Sequence, residues 1–136
     1  MAEVDITKLH ILVVEDESYT REVITRALKG MGTGKISSAK DGWKALAILQ
    51  EAKWRVDVIL LDLQMPRVNG YEFIKKLHDE FEPPLSDTPV IVISGHIEKK
   101  ALDRARELGV GLFLLKPITN AQVITRINAA MRHRFK

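Results

Sequence analysis

Short apolar runs alternate with segments of helical periodicity along the whole chain, and this alternation constrains the fold more than any other feature. Four runs are almost entirely aliphatic and lie at residues 11–14, 58–61, 90–93 and 112–115. Continuous apolar runs of this length are typical of strands that are buried on both faces. A fifth and more polar candidate strand lies at residues 35–39. We expect the apolar strands to be central and the polar strand to lie at an edge.

The segments between and after these runs place apolar residues at the spacing of one helix face. They span residues 23–31, 45–52, 73–81, 101–108 and 123–131. Ser18, Asp41 and Thr119 stand where N-cap residues are expected, because their side chains can accept a hydrogen bond from the helix start. Five strand–helix units in alternation predict an α/β fold, with a parallel sheet covered by helices on both faces.

The composition indicates one globular domain and excludes several classes of function. The chain has 136 residues, of which 46% are hydrophobic and 29% charged, and it contains no cysteine, which excludes disulfides and thiolate chemistry. No apolar run approaches the roughly 20 residues of a membrane helix, and the first ten residues do not resemble a secretory signal. The net charge is +3 and mixed along the chain, and the basic end (Arg132, Arg134 and Lys136) is interpreted as a solvated helix end. We therefore expect a cytoplasmic protein that binds neither membranes nor nucleic acid directly.

Polar residues follow the predicted strands at the point where each strand ends. Glu15 and Asp16 follow the first run, Asp62 follows 58–61, Ser94 follows 90–93, and Lys116 follows 112–115. Any one of these alone is most often a turn residue, a helix cap or a solvated charge. Parallel strands bring their carboxyl ends to one edge of the sheet, which is where open α/β sheets bind ligands. We therefore expect the five side chains to converge in one shallow cleft.

The residue types in this cleft predict phosphoryl chemistry. Three carboxylates close together repel one another and favour a hard cation such as Mg²⁺, which prefers oxygen ligands. Lys116 supplies a positive charge for an anion, and Ser94 supplies a hydroxyl donor. A metal, a cation and a hydroxyl together suit a phosphoryl group. Asp62 can then act as the nucleophile that forms an aspartyl phosphate.

Four segments of the chain together resemble the receiver domain of two-component response regulators. They are ILVVEDE, VILLDLQMPRVNGYEFIKKL, PVIVISG and LLKPI. The resemblance covers about residues 8–134, and it implies that residues 1–136 form a single receiver domain. It also implies a flavodoxin-like, doubly wound sheet of five parallel strands in the order 2-1-3-4-5 with five helices. Such a domain is a phosphoacceptor with Mg²⁺-dependent self-phosphorylation and slow self-dephosphorylation, rather than an enzyme acting on small molecules.

The resemblance also implies a role for each residue of the cleft. Asp62 matches the phosphoacceptor, and Mg²⁺ is expected on Glu15, Asp16, Asp62 and the backbone carbonyl of Gln64. Ser94 and Lys116 match the residues that bind the phosphoryl group, and the bond between Lys116 and Pro117 is expected to be cis. Met65-Pro66 and Asn69-Gly70 match the loop that turns the chain into the third helix.

Signal transmission is expected to follow the same family pattern, with a few departures. Phe113 stands where the family often has a tyrosine switch, so it lacks the hydroxyl. Residues 109–112 lack the acidic pair that one DNA-binding subfamily carries before this strand. Gln64 and His96 are expected to tune the lifetime of the phosphoryl group. The expected partners are a histidine kinase or histidine phosphotransfer protein, and a downstream protein that binds the face made by residues 98–133.

Three other interpretations compete with this one. A phosphatase or phosphotransferase with an aspartate nucleophile commonly has a second aspartate two residues later, where this chain has Gln64. A nucleotide-binding module is suggested by the glycines of residues 30–34, but their spacing is wrong and they follow a helix, so a helix C-cap and turn is favoured. A receiver-like scaffold that is never phosphorylated would not need the complete acidic set and Lys116.

Overall fold

A computed structural model describes residues 4–51, 55–63, 69–95 and 99–134 of the chain. Within these residues it contains five strands: β1 His10–Val14, β2 Lys35–Ala39, β3 Val58–Asp62, β4 Val90–Ser94 and β5 Leu112–Leu115. The same residues contain five α-helices: α1 Ser18–Gly30, α2 Gly42–Glu51, α3 Gly70–Glu80, α4 Lys99–Glu107 and α5 Asn120–Arg134. All strand pairings are parallel and the order is β2-β1-β3-β4-β5. The predicted doubly wound α/β fold is confirmed.

The two faces of the sheet carry separate hydrophobic cores. Successive strand residues point to opposite faces, so Leu12 and Val14 join the core beneath α2, α3 and α4. Ile11 and Val13 join the core beneath α1 and α5. Because both faces are covered, β1, β3 and β4 are buried along their whole length. These rigid strands hold the residues at their carboxyl ends in place.

The lateral positions of the two outer strands were only partly predicted. The polar β2 lies at an edge, as expected, but β5 lies at the other edge although its sequence is apolar throughout. Leu112 and Phe113 are half-buried, and Leu115 is 56% exposed. The expectation from apolarity was wrong because an apolar run reports helices packed above and below a strand, and not whether a further strand pairs beside it. The order implied by the family resemblance is correct.

The helix starts follow two of the three predicted N-caps. The carboxylate of Asp41 accepts a hydrogen bond from the Lys44 N–H at 2.8 Å, and Thr119 Oγ1 accepts one from the Gln122 N–H at 3.2 Å. Ser18 is already the first residue of α1, and the N-cap is Glu17. The prediction for Ser18 was wrong because the carbonyl of Glu17 accepts the first helical bond, from the Arg21 N–H at 2.9 Å.

The glycine-rich segment after α1 is a helix end and not a phosphate-binding loop. The helix ends at Gly30, Met31 is its C-cap, and Gly32 has a φ of 86°. That left-handed conformation closes the helix and is easily adopted only by glycine. The predicted C-cap and turn is confirmed, and the chain continues directly into β2.

Candidate functional site

The sheet register brings three carboxylates together at one edge. Val14 pairs with Leu61 in two parallel strands, so the residues that follow them, Glu15 and Asp62, lie side by side. Oxygen atoms of Glu15, Asp16 and Asp62 all lie within 4.8 Å of one another. Glu15 and Asp62 are buried, whereas Asp16 is exposed. The structure thus forms the acidic cluster predicted from the strand ends.

Lys116 enters this cluster from the loop after β5. Its Nζ atom donates a hydrogen bond to Glu15 Oε1 and lies 3.8 Å from Asp62 Oδ2. Its backbone N–H donates to the carbonyl of Ser94 at 2.8 Å, which fixes the loop against the end of β4. The bond between Lys116 and Pro117 is cis, as the family resemblance implied. One ammonium group therefore forms ion pairs with two buried carboxylates.

Ser94 reaches the same edge through the register of β3 and β4. Asp62 pairs with Ile93, so Ser94 lies one residue further along the neighbouring strand. Its side chain is buried. The structure therefore brings together five of the residues predicted for the cleft: Glu15, Asp16, Asp62, Ser94 and Lys116.

Burial and mutual repulsion raise the proton affinity of the carboxyls in the cluster. The pKa of Glu15 is raised by burial and by Asp62, against the opposing effect of Lys116. The pKa of Asp16 is raised by burial and by Glu15. Burial lowers the pKa of Lys116, but its hydrogen bond to Glu15 and the charge of Asp62 outweigh that effect and raise the pKa overall. The cluster holds more negative charge than Lys116 neutralises, and its donors are all oxygens, so a hard divalent cation fits it.

The turn into α3 is packed directly against the end of β3. A Cβ atom at Gly70 would lie 2.6 Å from Leu63 Cα, a distance that no side chain can occupy without a backbone shift. The Gly70 N–H donates to the Leu63 carbonyl at 3.0 Å, and Asn69 Oδ1 caps the helix by accepting from the Glu72 N–H at 3.0 Å. Asn69 and Gly70 therefore form the predicted turn, and its closeness to Leu63 fixes the chain just beyond Asp62.

Two predicted site residues, and Met65-Pro66 of the predicted loop, lie outside the part of the chain that the structure describes. Gln64, predicted to supply a backbone carbonyl to Mg²⁺ and to tune lifetime, falls in residues 64–68. His96, the other lifetime residue, falls in residues 96–98.

Phe113 lies in β5, where it pairs with Val92, two residues before Ser94, and it lines an open groove. Its ring is half-buried and packs against the core beneath α4, and the Arg106 guanidinium carbon lies 5.9 Å from the ring centroid. Arg126 Nε from α5 donates to the Phe113 carbonyl at 3.0 Å. The groove between α4, β5 and α5 has a volume of about 500 Å³ and is lined in part by Leu102 and Leu115. Phe113 thus lies within the face expected to bind a partner.

Arg21, which no sequence pattern indicated, contacts the acidic loop directly. Its NH1 group donates to the carbonyl of Glu15 at 2.8 Å and lies 3.4 Å from the carbonyl of Asp16. The bonds are made to backbone atoms, which no residue type reveals. The only available signal was an arginine in the first turns of the helix that follows the acidic pair.

Comparison with known proteins identifies the family. The sequence model of the response regulator receiver domain family matches residues 11–128 of this chain. The two-component response regulator ARR3 of Arabidopsis thaliana is 32% identical over 128 residues, which cover 88% of this chain and 54% of that protein. Chemotaxis protein CheY-3 of Vibrio cholerae is 27% identical over 120 residues, covering 88% of this chain and 89% of that protein. The chain therefore belongs to the family of response regulator receiver domains.

Solved structures agree with this assignment. A response regulator receiver domain protein from Clostridium thermocellum has a TM-score of 0.81 and 26% identity, and the match covers 93% of this chain and 97% of that one. Chemotaxis protein CheY4 of Vibrio cholerae has a TM-score of 0.79 and 25% identity, with 90% and 98% covered.

Several relatives are longer proteins. This chain spans about half of the Arabidopsis protein and 13% of probable histidine kinase 2 of Oryza sativa.

Among the described residues, no helix is long and apolar enough to cross a membrane.

Proposed function

We propose that this chain is a phosphorylation-controlled switch that accepts a phosphoryl group on Asp62. The observation that carries the proposal is the position of Lys116, whose Nζ atom lies 3.8 Å from Asp62 Oδ2 beside two further carboxylates. A carboxylate at the end of a buried strand is costly unless it is paired or binds a metal. Asp62 lies at the carboxyl edge of the sheet, which is where open α/β sheets bind their ligands. We propose further that residues 1–136 make up one such domain, with a core of about residues 8–134.

Mg²⁺ is the proposed cofactor of this reaction. Glu15, Asp16 and Asp62 would hold it, together with the backbone carbonyl of Gln64 predicted from the sequence. When bound, the ion neutralises charge on the phosphoryl oxygens and on the carboxylates. Asp16 is more exposed than Glu15, and of this acidic pair it is the one we expect to bind the ion directly.

The transfer step is a displacement at phosphorus. A carboxylate oxygen of Asp62 forms the new bond to phosphorus while the bond from phosphorus to the donor breaks, and the donor leaves with that electron pair. The expected donors are a phosphohistidine on a histidine kinase or phosphotransfer protein, or a small acyl phosphate. Lys116 stabilises the transferred group by binding a phosphoryl oxygen, and for this it shifts its hydrogen bond away from Glu15.

Phosphorylation is then proposed to change the face made by residues 98–133. A phosphoryl oxygen would accept a hydrogen bond from the Ser94 hydroxyl and draw Ser94 inward, and Phe113 would occupy the space that Ser94 leaves. The state with these contacts is favoured because only that state bonds the phosphoryl group well. The groove beside Leu102 and Leu115 lies in this face, which we propose binds a downstream protein.

The signal would end by slow self-dephosphorylation, with a water attacking phosphorus in line with the bond to Asp62. Gln64 and His96 follow the acceptor and Ser94 by two residues each, and we propose that they set the phosphoryl lifetime. In this proposal the chain works in the cytoplasm and binds neither nucleic acid nor membranes directly. It does not act as an enzyme on small molecules.

Intact-mass measurement after incubation with acetyl phosphate and Mg²⁺ tests the proposal. Wild type should gain one phosphoryl group and Asp62→Asn none, while Asp103→Asn, an exposed carboxylate on α4, should label like wild type. Equal labelling of Asp62→Asn would move the acceptor elsewhere. No labelling of wild type would favour a scaffold that is never phosphorylated.

A further inference from the structure

Arg21 links the acidic loop to the first helix through three carbonyl groups. Its guanidinium donates to the carbonyl of Glu15 at 2.8 Å and lies 3.4 Å from that of Asp16. Its backbone N–H donates to the carbonyl of Glu17 at 2.9 Å. The bond to Glu17 is the first bond of the helix itself, whereas the half-buried guanidinium group holds two consecutive peptide groups just after β1.

We propose that Arg21 is a positioning residue for the metal ligands at this site. The inference rests on the proposed function, because it assumes that the acidic cluster binds Mg²⁺. Asp16 is exposed, so packing contributes little to its orientation, and its peptide groups must be held by hydrogen bonds instead. Mg²⁺ demands nearly ideal octahedral geometry, so a loop with several orientations binds it less tightly.

The charge of Arg21 has the opposite effect on metal binding. A guanidinium bonded to the acidic loop adds a positive charge near the site and repels an incoming cation. Charge alone therefore predicts that removing Arg21 tightens Mg²⁺ binding, whereas positioning predicts that removal weakens it. We infer that positioning dominates, because the guanidinium bonds go to backbone carbonyls and its charge is partly screened by solvent.

The opposite signs of the two effects allow a direct test. Mg²⁺ affinity is measured by calorimetric titration of the unphosphorylated protein, in wild type, Arg21→Ala and Arg21→Lys. Loss of a group that orients a ligand commonly costs about 10-fold or more in metal affinity, so the Kd of Arg21→Ala should rise by about that factor. Arg21→Lys keeps the charge but cannot reproduce the planar guanidinium, so its Kd should also rise, by a smaller factor.

Arg26→Ala provides the matched control. Arg26 lies on the same helix and forms an exposed ion pair with Glu22 at 2.6 Å, remote from the acidic loop in sequence. Its removal lowers the net charge by the same amount, and its Mg²⁺ Kd should stay within about two-fold of wild type because exposed pairs contribute little. An Arg21→Ala Kd equal to or lower than that of wild type would overturn the inference.

A second measurement separates positioning from loss of stability. In the metal-free protein, amide exchange at residues 15–17 should speed up in Arg21→Ala while exchange in β3 and β4 stays unchanged. Uniformly faster exchange would mean that Arg21 serves overall stability only. In addition, the labelling rate of Arg21→Ala should approach that of wild type at saturating Mg²⁺, because only the metal requirement has changed.

The outcomes for the two proposals can be told apart. If wild type binds no Mg²⁺, the metal requirement of the proposed function fails, and this inference fails with it. If wild type binds Mg²⁺ and Arg21→Ala binds it equally well, only the role of Arg21 is overturned.

Discussion

The Nζ atom of Lys116 lies 3.8 Å from Asp62 Oδ2 and also donates a hydrogen bond to Glu15, so one ammonium group serves two buried carboxylates. The side chain of Glu15 is 1% exposed and that of Asp62 is 9% exposed. Water can therefore do little to compensate for the loss of Lys116. A buried pair adds little net stability, but breaking it by removing one partner is costly.

Lys116→Met should destabilise the metal-free protein by about 2 kcal/mol, because Glu15 loses the charged donor that it meets in the folded state. Urea unfolding without Mg²⁺ is the measurement. Lys76→Met is the control, since Lys76 forms a more exposed ion pair with Glu80, and it should cost less than about 1 kcal/mol. The double variant that combines Lys116→Met with Glu15→Gln should lose less unfolding free energy than the sum of the changes in the two single variants. Strict additivity would show that the hydrogen bond carries no coupling energy.

The raised pKa values of Glu15 and Asp16 predict a pH dependence of stability in the absence of metal. A raised pKa means that the native state binds the proton more tightly than the unfolded chain does. The resulting destabilisation is fully present above the native pKa values, and it is relieved as the pH falls through them toward the ordinary carboxyl range. Asp16→Asn should therefore be more stable than wild type at pH 8, and this gain should shrink as the pH falls.

Urea unfolding of wild type and Asp16→Asn, from pH 8 down to the ordinary carboxyl range, measures this gain in stability. Asp103→Asn is the control for loss of an exposed carboxylate. Saturating Mg²⁺ should reverse the order at pH 8, because it stabilises wild type more than the variant that lacks a ligand. A gain that is independent of pH would contradict the repulsion inferred for the cluster.

The strands were predictable because each apolar run ends sharply in polar residues. The runs at 58–61 and 90–93 differ from β3 and β4 only by the final residue, and those residues are Asp62 and Ser94. The cleft followed from the same pattern, since parallel strands must share one carboxyl edge. Elements of the site made of side-chain types at strand ends were therefore accessible from the sequence.

Features that depend on lateral packing or on backbone acceptors were not accessible. β5 is apolar and yet lies at an edge, and Val23 follows the helix pattern of α1 but is 46% exposed. Helical periodicity gives the centre of an apolar stripe and not its width. Arg21 was missed because its partners are carbonyl groups, which every residue has.

Gly70→Ala should destabilise the protein by about 1–3 kcal/mol, because the new methyl group would lie 2.6 Å from Leu63 Cα and the backbone would have to move. The shift falls next to Asp62, so Mg²⁺ affinity should fall as well. Gly111→Ala is the control, since nothing lies within 4 Å of its added Cβ, and it should unfold and bind Mg²⁺ like wild type. Denaturant unfolding and calorimetric titration measure the two effects. A tolerated Gly70→Ala would mean that the turn into α3 can relax without cost.

Ser94→Ala should still accept the phosphoryl group but should fail to transmit the change. The backbone of Ser94 is tied to the Lys116 loop by a 2.8 Å hydrogen bond, so movement of one loop is coupled to the other. Without the hydroxyl, the phosphoryl group loses the contact that draws this residue inward, and Phe113 has no space to enter. Intact mass should show normal labelling of the Ser94→Ala variant. Amide NMR shifts in residues 98–133 should change much less on phosphorylation than they do in wild type.

Ser86→Ala is the control. Ser86 lies in the short 3₁₀ helix at residues 85–87, remote from the cleft, so this variant should respond to phosphorylation like wild type. If the Ser94→Ala shifts match those of wild type, the serine hydroxyl is not the element that couples phosphorylation to this face.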